Sequence, residues 1–265
     1  MKEDYKIIET ERLILKPFST LTEDQKEELI KSWDNPFNAR YNAEPNSRKS
    51  VEDLIQRKEP TFTLIEKSLN SYYDTMYFRV AYDKKTGELI GSCRFGKYPD
   101  SKTLKTWDFG FNVLIRHWGK GYGTEMVRKI IEIARNEDVK YFRGGADNDN
   151  FASYHAMVKN GLKYAGIDKD KDFEFQLKLS RTPTKEECEN EWKKHIKRYI
   201  KRKSKNGLVF GKDKYDDLQK INKLIKELVK KIQNGGDEDS LVEEYYQKTE
   251  KILAKYNIVE TCENN

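Results

Sequence analysis

Residues that cross-link a chain or ligate metal are scarce: 265 residues contain three cysteines and three histidines. Cys93, Cys188 and Cys262 are odd in number and far apart, so neither a disulfide framework nor a zinc knuckle organises the fold. His117 and His195 have no partner at ligand spacing, which points to solvated or capping roles and to no metal. No apolar run approaches the roughly 20 residues of a membrane helix. The opening MKEDYKIIETERL has no apolar stretch of the kind a secretory leader carries. From these absences the expectation is a cytoplasmic protein with no membrane partner. Charge is plentiful instead, at 36% Asp, Glu, Lys and Arg against 36% apolar residues. That balance is lean for one globular unit and predicts that part of the chain is a solvated, charge-rich extension. A net charge of +6 admits an acidic partner without requiring one.

The first 180 residues alternate between strand-like and helix-like text. RLILKPF is a strand, TEDQKEELIKSW a helix opened by Thr22, and FRVAYDKKTGELIGSCRFGKY two strands joined by a KKTG turn. TWDFGFNVLI and VKYFRGGAD supply further strands, NFASYHAMVKNGL a helix stopped at Gly161, and FEFQLKLS a last strand. This order predicts an α+β unit with a mixed, mostly antiparallel central sheet flanked by helices. After Ser180, glycine and proline nearly vanish, and Leu218, Ile221, Leu224, Ile225, Leu228, Val229 and Ile232 form one stripe at helical spacing. A looser stripe carries Leu241, Tyr245, Ile252 and Tyr256. The expectation is a unit over 1–180 and an all-α appendage over 181–265, a hairpin or a bundle of about three helices.

The densest chemical signal is WGKGYGTE at 118–125, which runs straight into a helical pattern. Glycine loses more freedom on ordering than any other residue, so three at alternate positions need a geometric reason. A helix N-terminus offers unpaired N–H groups and a positive dipole end, and glycines before it let a phosphate approach the backbone. Gly119, Gly121 and Gly123 fit that use, with Lys120 adding charge; the plainer alternative is a turn that needs positive φ angles. A P-loop is excluded because no lysine precedes Thr124, and the glycine spacing is not that of a dinucleotide fingerprint.

With its neighbours, this turn resembles the pyrophosphate loop of the GNAT superfamily of acyl-CoA-dependent N-acetyltransferases, and within it the Rim-type group that acetylates ribosomal-protein N-termini. ETERLILKPF at 9–18, DFGF at 108–111, WGKGYGTE, and the late helix with Asn150, Ser153, Lys159 and Gly161 carry the likeness over about 7–180. The resemblance implies an acetyl-CoA-dependent N-acetyltransferase acting on a primary amine by direct attack in a ternary complex. It assigns the cosubstrate to Trp118, Gly119, Lys120, Gly121, Tyr122, Gly123 and Thr124, to the backbone near Val113, and to Asn150, Ser153 and Lys159. It makes Asp108 the candidate base and sets Ser153 at the thiol end. Many relatives carry a tyrosine acid seven residues after the asparagine; Met157 stands there, leaving Tyr154 or His155 to protonate the thiolate. Adjacent helix residues diverge by about 100°, so at most one of the two faces the site. Plainer alternatives are a solvent-facing strand carboxylate for Asp108 and helix capping for Asn150 and Ser153.

An acceptor pocket is expected from Trp33, Arg40, Tyr41 and Tyr72, with Tyr73 and Tyr77 nearby, for a small-molecule or protein amine. The acid-free KKHIKRYIKRKSK at 193–205 has Trp192, Ile196, Tyr199 and Ile200 near one face. It suits docking on the core, and its basic face is read as solvated in preference to RNA-binding. The appendage leaves homodimer or partner-protein contacts open. Competing readings are a catalytically idle GNAT-like scaffold and an RNA-associated protein.

Overall fold

The computed structural model describes residues 7–41, 47–57, 76–97, 105–137, 139–168, 171–204 and 208–257. In chain order these form β1 (Ile8–Glu9), β2 (Leu13–Pro17), α1 (Glu23–Asp34), α2 (Pro36–Ala39), α3 (Ser47–Gln56), β3 (Met76–Asp83), β4 (Leu89–Lys97) and β5 (Thr106–Val113). After a single 3-10 turn at Ile115–His117 come α4 (Tyr122–Asn136), β6 (Tyr141–Ala146), α5 (Phe151–Lys159), β7 (Lys163–Ile167) and β8 (Phe173–Lys178). The last 80 or so residues supply α6 (Lys185–Lys201), α7 (Lys212–Gln233) and α8 (Glu238–Asn257).

Among the described residues the strands make one sheet in the order β1-β2-β3-β4-β5-β6-β8-β7. Every pairing is antiparallel except β5 with β6. Local chemistry explains the boundaries. Thr22 and Gln25 form a capping box on α1, and Thr184 with Glu187 does the same on α6. In the β3–β4 turn, Asp83 accepts from the N–H groups of Lys85 and Thr86 at 2.8 and 3.0 Å, and Gly87 adopts φ 74°. The short β1, the edge strand β7 and α3 were not foreseen from sequence. β7 is five residues long and bulged between Tyr164 and Gly166, so it shows no alternation to read.

Two helical layers cover the sheet. Leu29, Ile30, Val51 and Leu54 of α1 and α3 pack on Phe78, Val80 and Leu89. On the opposite face Met126, Val127, Ile130 and Ile131 of α4 pack on Ile90, Cys93, Phe95 and Phe109. The appendage does not hold itself apart: Tyr199, Phe210, Leu218, Ile221 and Leu253 belong to that second cluster. The α7 stripe ends in a third cluster, where Leu228, Val229 and Ile232 meet Phe37, Ile115, Val242 and Tyr245. On the basic helix α6, Arg198 lies over the Tyr164 ring at 4.5 Å, and Arg202 donates to the Tyr164 hydroxyl at 2.7 Å. Lys193, Lys194 and Lys197 stay exposed.

Candidate functional site

The site begins where the sheet comes apart. β5 and β6 pair only through Thr106–Tyr141, Trp107–Phe142 and Asp108–Arg143; beyond Asp108, β6 continues with β8 alone. The Phe109 and Phe142 rings stack at 4.5 Å just past the fork. Leu114 N–H donates to Ile90 of the β4 side, so by the alternation of an antiparallel ladder Phe111 and Val113 turn their N–H groups away from β4, into the gap. Phe109 N–H, on the same edge, is satisfied by Asp108 Oδ1 at 2.7 Å.

The glycine turn closes one end of the gap. Gly119 and Gly121 have φ 76° and 85°, a left-handed backbone costly for other residues, and Gly121 caps α4 with no side-chain acceptor for the first-turn N–H groups. A side chain built on Gly119 would meet nothing within 4 Å, whereas one on Gly123 would strike the Phe111 ring at 2.7 Å. The turn thus presents backbone donors to open space while Gly123 lets α4 lie against β5. Trp118 braces it, donating its indole N–H to Val113 O at 2.6 Å. Tyr122 donates to Asp83 at 2.9 Å, Thr124 O accepts from Asn160 at 3.0 Å, and Lys120 Nζ lies 3.5 Å from His117.

A second brace joins two motifs far apart in the chain. Glu125 accepts from the Thr10 hydroxyl at 2.5 Å, from Arg12 N–H at 2.8 Å and from Arg12 Nε at 2.6 Å. Burial works to raise the Glu125 pKa, but these donors together hold it below its ordinary value. Arg12 also donates to Lys120 O at 2.9 Å and lies over the Tyr122 ring. Arg12 and Glu125 fall within the ETERLILKPF and WGKGYGTE stretches, but nothing in the sequence pairs them across the fold.

Asp108 sits at the crotch of the fork, facing Arg94 at 3.3 Å. Burial pushes its carboxyl above the ordinary value, opposed by the Arg94 guanidinium and the Phe109 N–H. Arg143 pairs with Glu174 on the same side. Further out, Arg40 bridges Asp149 at 2.9 Å and Glu250 at 3.1 Å, tying α2 to α8. Tyr41 lies beside Arg40, its phenol pKa raised by burial. Trp33 packs near Phe18, while Tyr77 is a core residue stacked on Phe95. Tyr72 and Tyr73 lie outside the described residues.

Helix α5 supplies the other wall. Asn150 caps it, accepting from Ser153 N–H at 3.1 Å, and both residues line the cavity with Lys159. Tyr154 turns away: it is fully buried, its hydroxyl bonds to Ala146 and Asp147 carbonyls, and burial raises its pKa well above normal. Tyr154 therefore does not reach the cavity, whereas the 100° step to the next residue brings His155 to its wall. Met157 lines the inner wall, its sulfur 3.2 Å from where a side chain on Gly144 would stand.

The glycine turn, the forked edge of β5, Asp108 and the wall made by Asn150, Ser153, His155 and Lys159 line one cavity of about 1540 Å³. Small-molecule pockets commonly span roughly 300–1,000 Å³, so there is room for two reactants. Its lining carries charges of both signs: Lys120 and Lys159, and the carboxylates of Asp108, Asp149, Asp168, Asp172 and Glu174, of which Asp108, Asp149 and Glu174 pair with Arg94, Arg40 and Arg143. No cluster among the described residues could hold a metal ion, and none of their helices is long and apolar enough to cross a membrane.

Residues 12–163 match the family profile described as an acetyltransferase (GNAT) domain. A curated relative, the uncharacterized protein YkkB of Bacillus subtilis (strain 168), is 34% identical over 89 residues, 32% of this chain and 50% of that protein. The chain thus spans about half the length of that relative. The fold is similar to a GNAT-family acetyltransferase from Bacillus anthracis at 15% identity and TM-score 0.51, over 66% of this chain and 99% of that one. RimL, a ribosomal L7/L12 alpha-N-protein acetyltransferase solved in complex with coenzyme A, gives 16% identity and TM-score 0.49 over 65% and 97% of the two chains.

Proposed function

Since the chain belongs to the GNAT acetyltransferase domain family, we propose that it moves an acetyl group from acetyl-CoA to a primary amine by direct attack in a ternary complex. The observation that carries this reading is the fork of β5 and β6, which joins unpaired backbone donors, an uncapped glycine-rich helix start and a part-buried carboxylate in one cavity. The donor set fits the cosubstrate: backbone N–H groups and Lys120 for the pyrophosphate, and the N–H groups of Phe111 and Val113 for the thioester oxygen and the amide arm.

In this mechanism Asp108 takes the proton of the incoming amine, directly or through water. The N–C bond forms as the C–S bond breaks, the sulfur leaves with the electron pair, and Ser153 offers its hydroxyl to it. A lysine amine, with a pKa near ~10.4, needs such a base more than an α-amine near ~7.8 does. The acceptor amine is held near Trp33, Arg40 and Tyr41, which line the same cavity. The appendage contributes walls to the site rather than a separate activity.

Calorimetry with acetyl-CoA tests the reading. Binding by the unaltered chain and by Gly121→Asn, which tolerates left-handed backbone, with loss in Gly121→Glu, supports it; absence of binding in all three overturns it. Thiol release across N-terminal peptides, lysine peptides, polyamines and aminoglycosides then identifies the amine.

A further inference from the structure

Helix α7 begins about fifty residues beyond the matched family region, yet it borders the same cavity as the glycine turn. Its apolar stripe seats it on the core through Ile221, Val229 and Ile232. Beside that stripe, Gln219, Asn222, Lys226, Lys230 and Gln233 follow one another at three- and four-residue steps and line the cavity. One end of the helix is fixed where Tyr215 packs edge-on to Phe151 at 5.8 Å, beside the start of α5. At the other end Gln233 Nε2 donates to Arg116 O at 2.9 Å, two residues before Trp118. Trp118 itself packs against the cluster that holds Val229. The helix therefore spans the mouth of the fork from one wall to the other.

We propose that α7 is a wall of the cosubstrate groove and that Lys226 and Lys230 bind the phosphates of the CoA nucleotide together with Lys120 and Lys159. The inference rests on the acetyl-CoA reading given above and extends it to a part of the chain that the family match does not cover. Partnering separates these lysines from three others on the helix. On other faces of α7, Lys212 pairs with Asp216, Lys220 pairs with Asp217, and Lys231 lies 5.0 Å over the Tyr245 ring. Among the described residues, Lys226, Lys230, Lys120 and Lys159 have no carboxylate within 4 Å. Lys159 and Lys226 are close enough for both to disfavour protonation of His155, after burial. Four ammonium groups without a carboxylate partner line one cavity, and a polyanion held there would meet all four. A CoA nucleotide carries a pyrophosphate and a 3′-phosphate, more charge than one helix terminus and one lysine would neutralise.

The test measures binding of CoA, dephospho-CoA, which lacks the 3′-phosphate, and pantetheine, which has no phosphate, to the full chain. The variants are Lys226→Glu/Lys230→Glu and, as a control on the same helix away from the cavity, Lys223→Glu. The expected result is a loss of at least tenfold in CoA affinity for the double variant and a smaller loss for dephospho-CoA. Pantetheine binding and melting temperature should not change, and Lys223→Glu should behave as the unaltered chain. Unchanged CoA affinity in the double variant, with binding still lost in Gly121→Glu, overturns this inference and leaves the acetyltransferase reading standing. Equal losses for all three ligands would mean that α7 is only displaced, and would also overturn it. A chain that binds no CoA at all overturns both.

Discussion

Asp108, part-buried at the cavity wall, and His195, 1% exposed in the core, are titratable groups with different consequences. Asp108 keeps Arg94 beside it and a carboxyl pKa above the ordinary value. As a base it must be ionised, so kcat/KM should rise with pH through a pKa above about 3.8. Asp108→Asn should lower kcat about 10²- to 10⁴-fold while acetyl-CoA still binds, as steady-state kinetics beside calorimetry would show. His195 packs among Phe151, Tyr154, Tyr164, Phe173, Phe175 and Trp192 with neither ring nitrogen paired, and burial pushes its pKa down to about 4. The unfolded chain protonates this ring near 6.5, so its contribution to stability is full above that value and is lost as pH falls toward 4. His195→Phe should raise the melting temperature, by about 1–2 kcal/mol of stability, and flatten the melting curve's pH dependence between 6.5 and 4. Asp108 was legible because a motif singles it out. The choice between Tyr154 and His155 was not, since it turned on which of two neighbours finds the carbonyls of Ala146 and Asp147.

Most strands and helices announce themselves through alternation, caps and turn residues. Their ends do not reveal which strands part company. TWDFGFNV reads as a strand throughout, yet only its first three residues pair with β6, because the fork depends on the path of a strand some thirty residues later. The glycine turn was legible as a turn opening a helix, but its support was not: Arg12 and Glu125 meet across 113 residues. Glu125→Ala would leave the Thr10 hydroxyl and two Arg12 donors without their acceptor. A loss of about 3 kcal/mol in denaturant unfolding, with weaker acetyl-CoA binding, is the expected outcome.

For the whole molecule, the charge-rich composition suggested a solvated appendage. Its helices are solvated on one side only; on the other they complete the apolar cluster around Phe173, Tyr154 and Phe210. The sequence showed a stripe on α7 without showing what it would lie against. A chain ending at residue 180 would expose the Phe173 and Tyr154 rings and should fail to give a cooperative melting transition, whereas two independent domains would leave 1–180 folded. The basic face of α6 is partly spent on packing, since Arg198 and Arg202 clasp Tyr164.

The fork has a further consequence. Beyond Asp108, β5 is a strand with one edge left unzipped in the middle of a sheet, a seam that an amide-bearing arm would close. The cosubstrate would then serve as a guest strand. Hydrogen exchange at the amides of Phe111 and Val113 should slow on adding acetyl-CoA, while the amides of Asn112 and Leu114, already zipped to β4, should keep their rates.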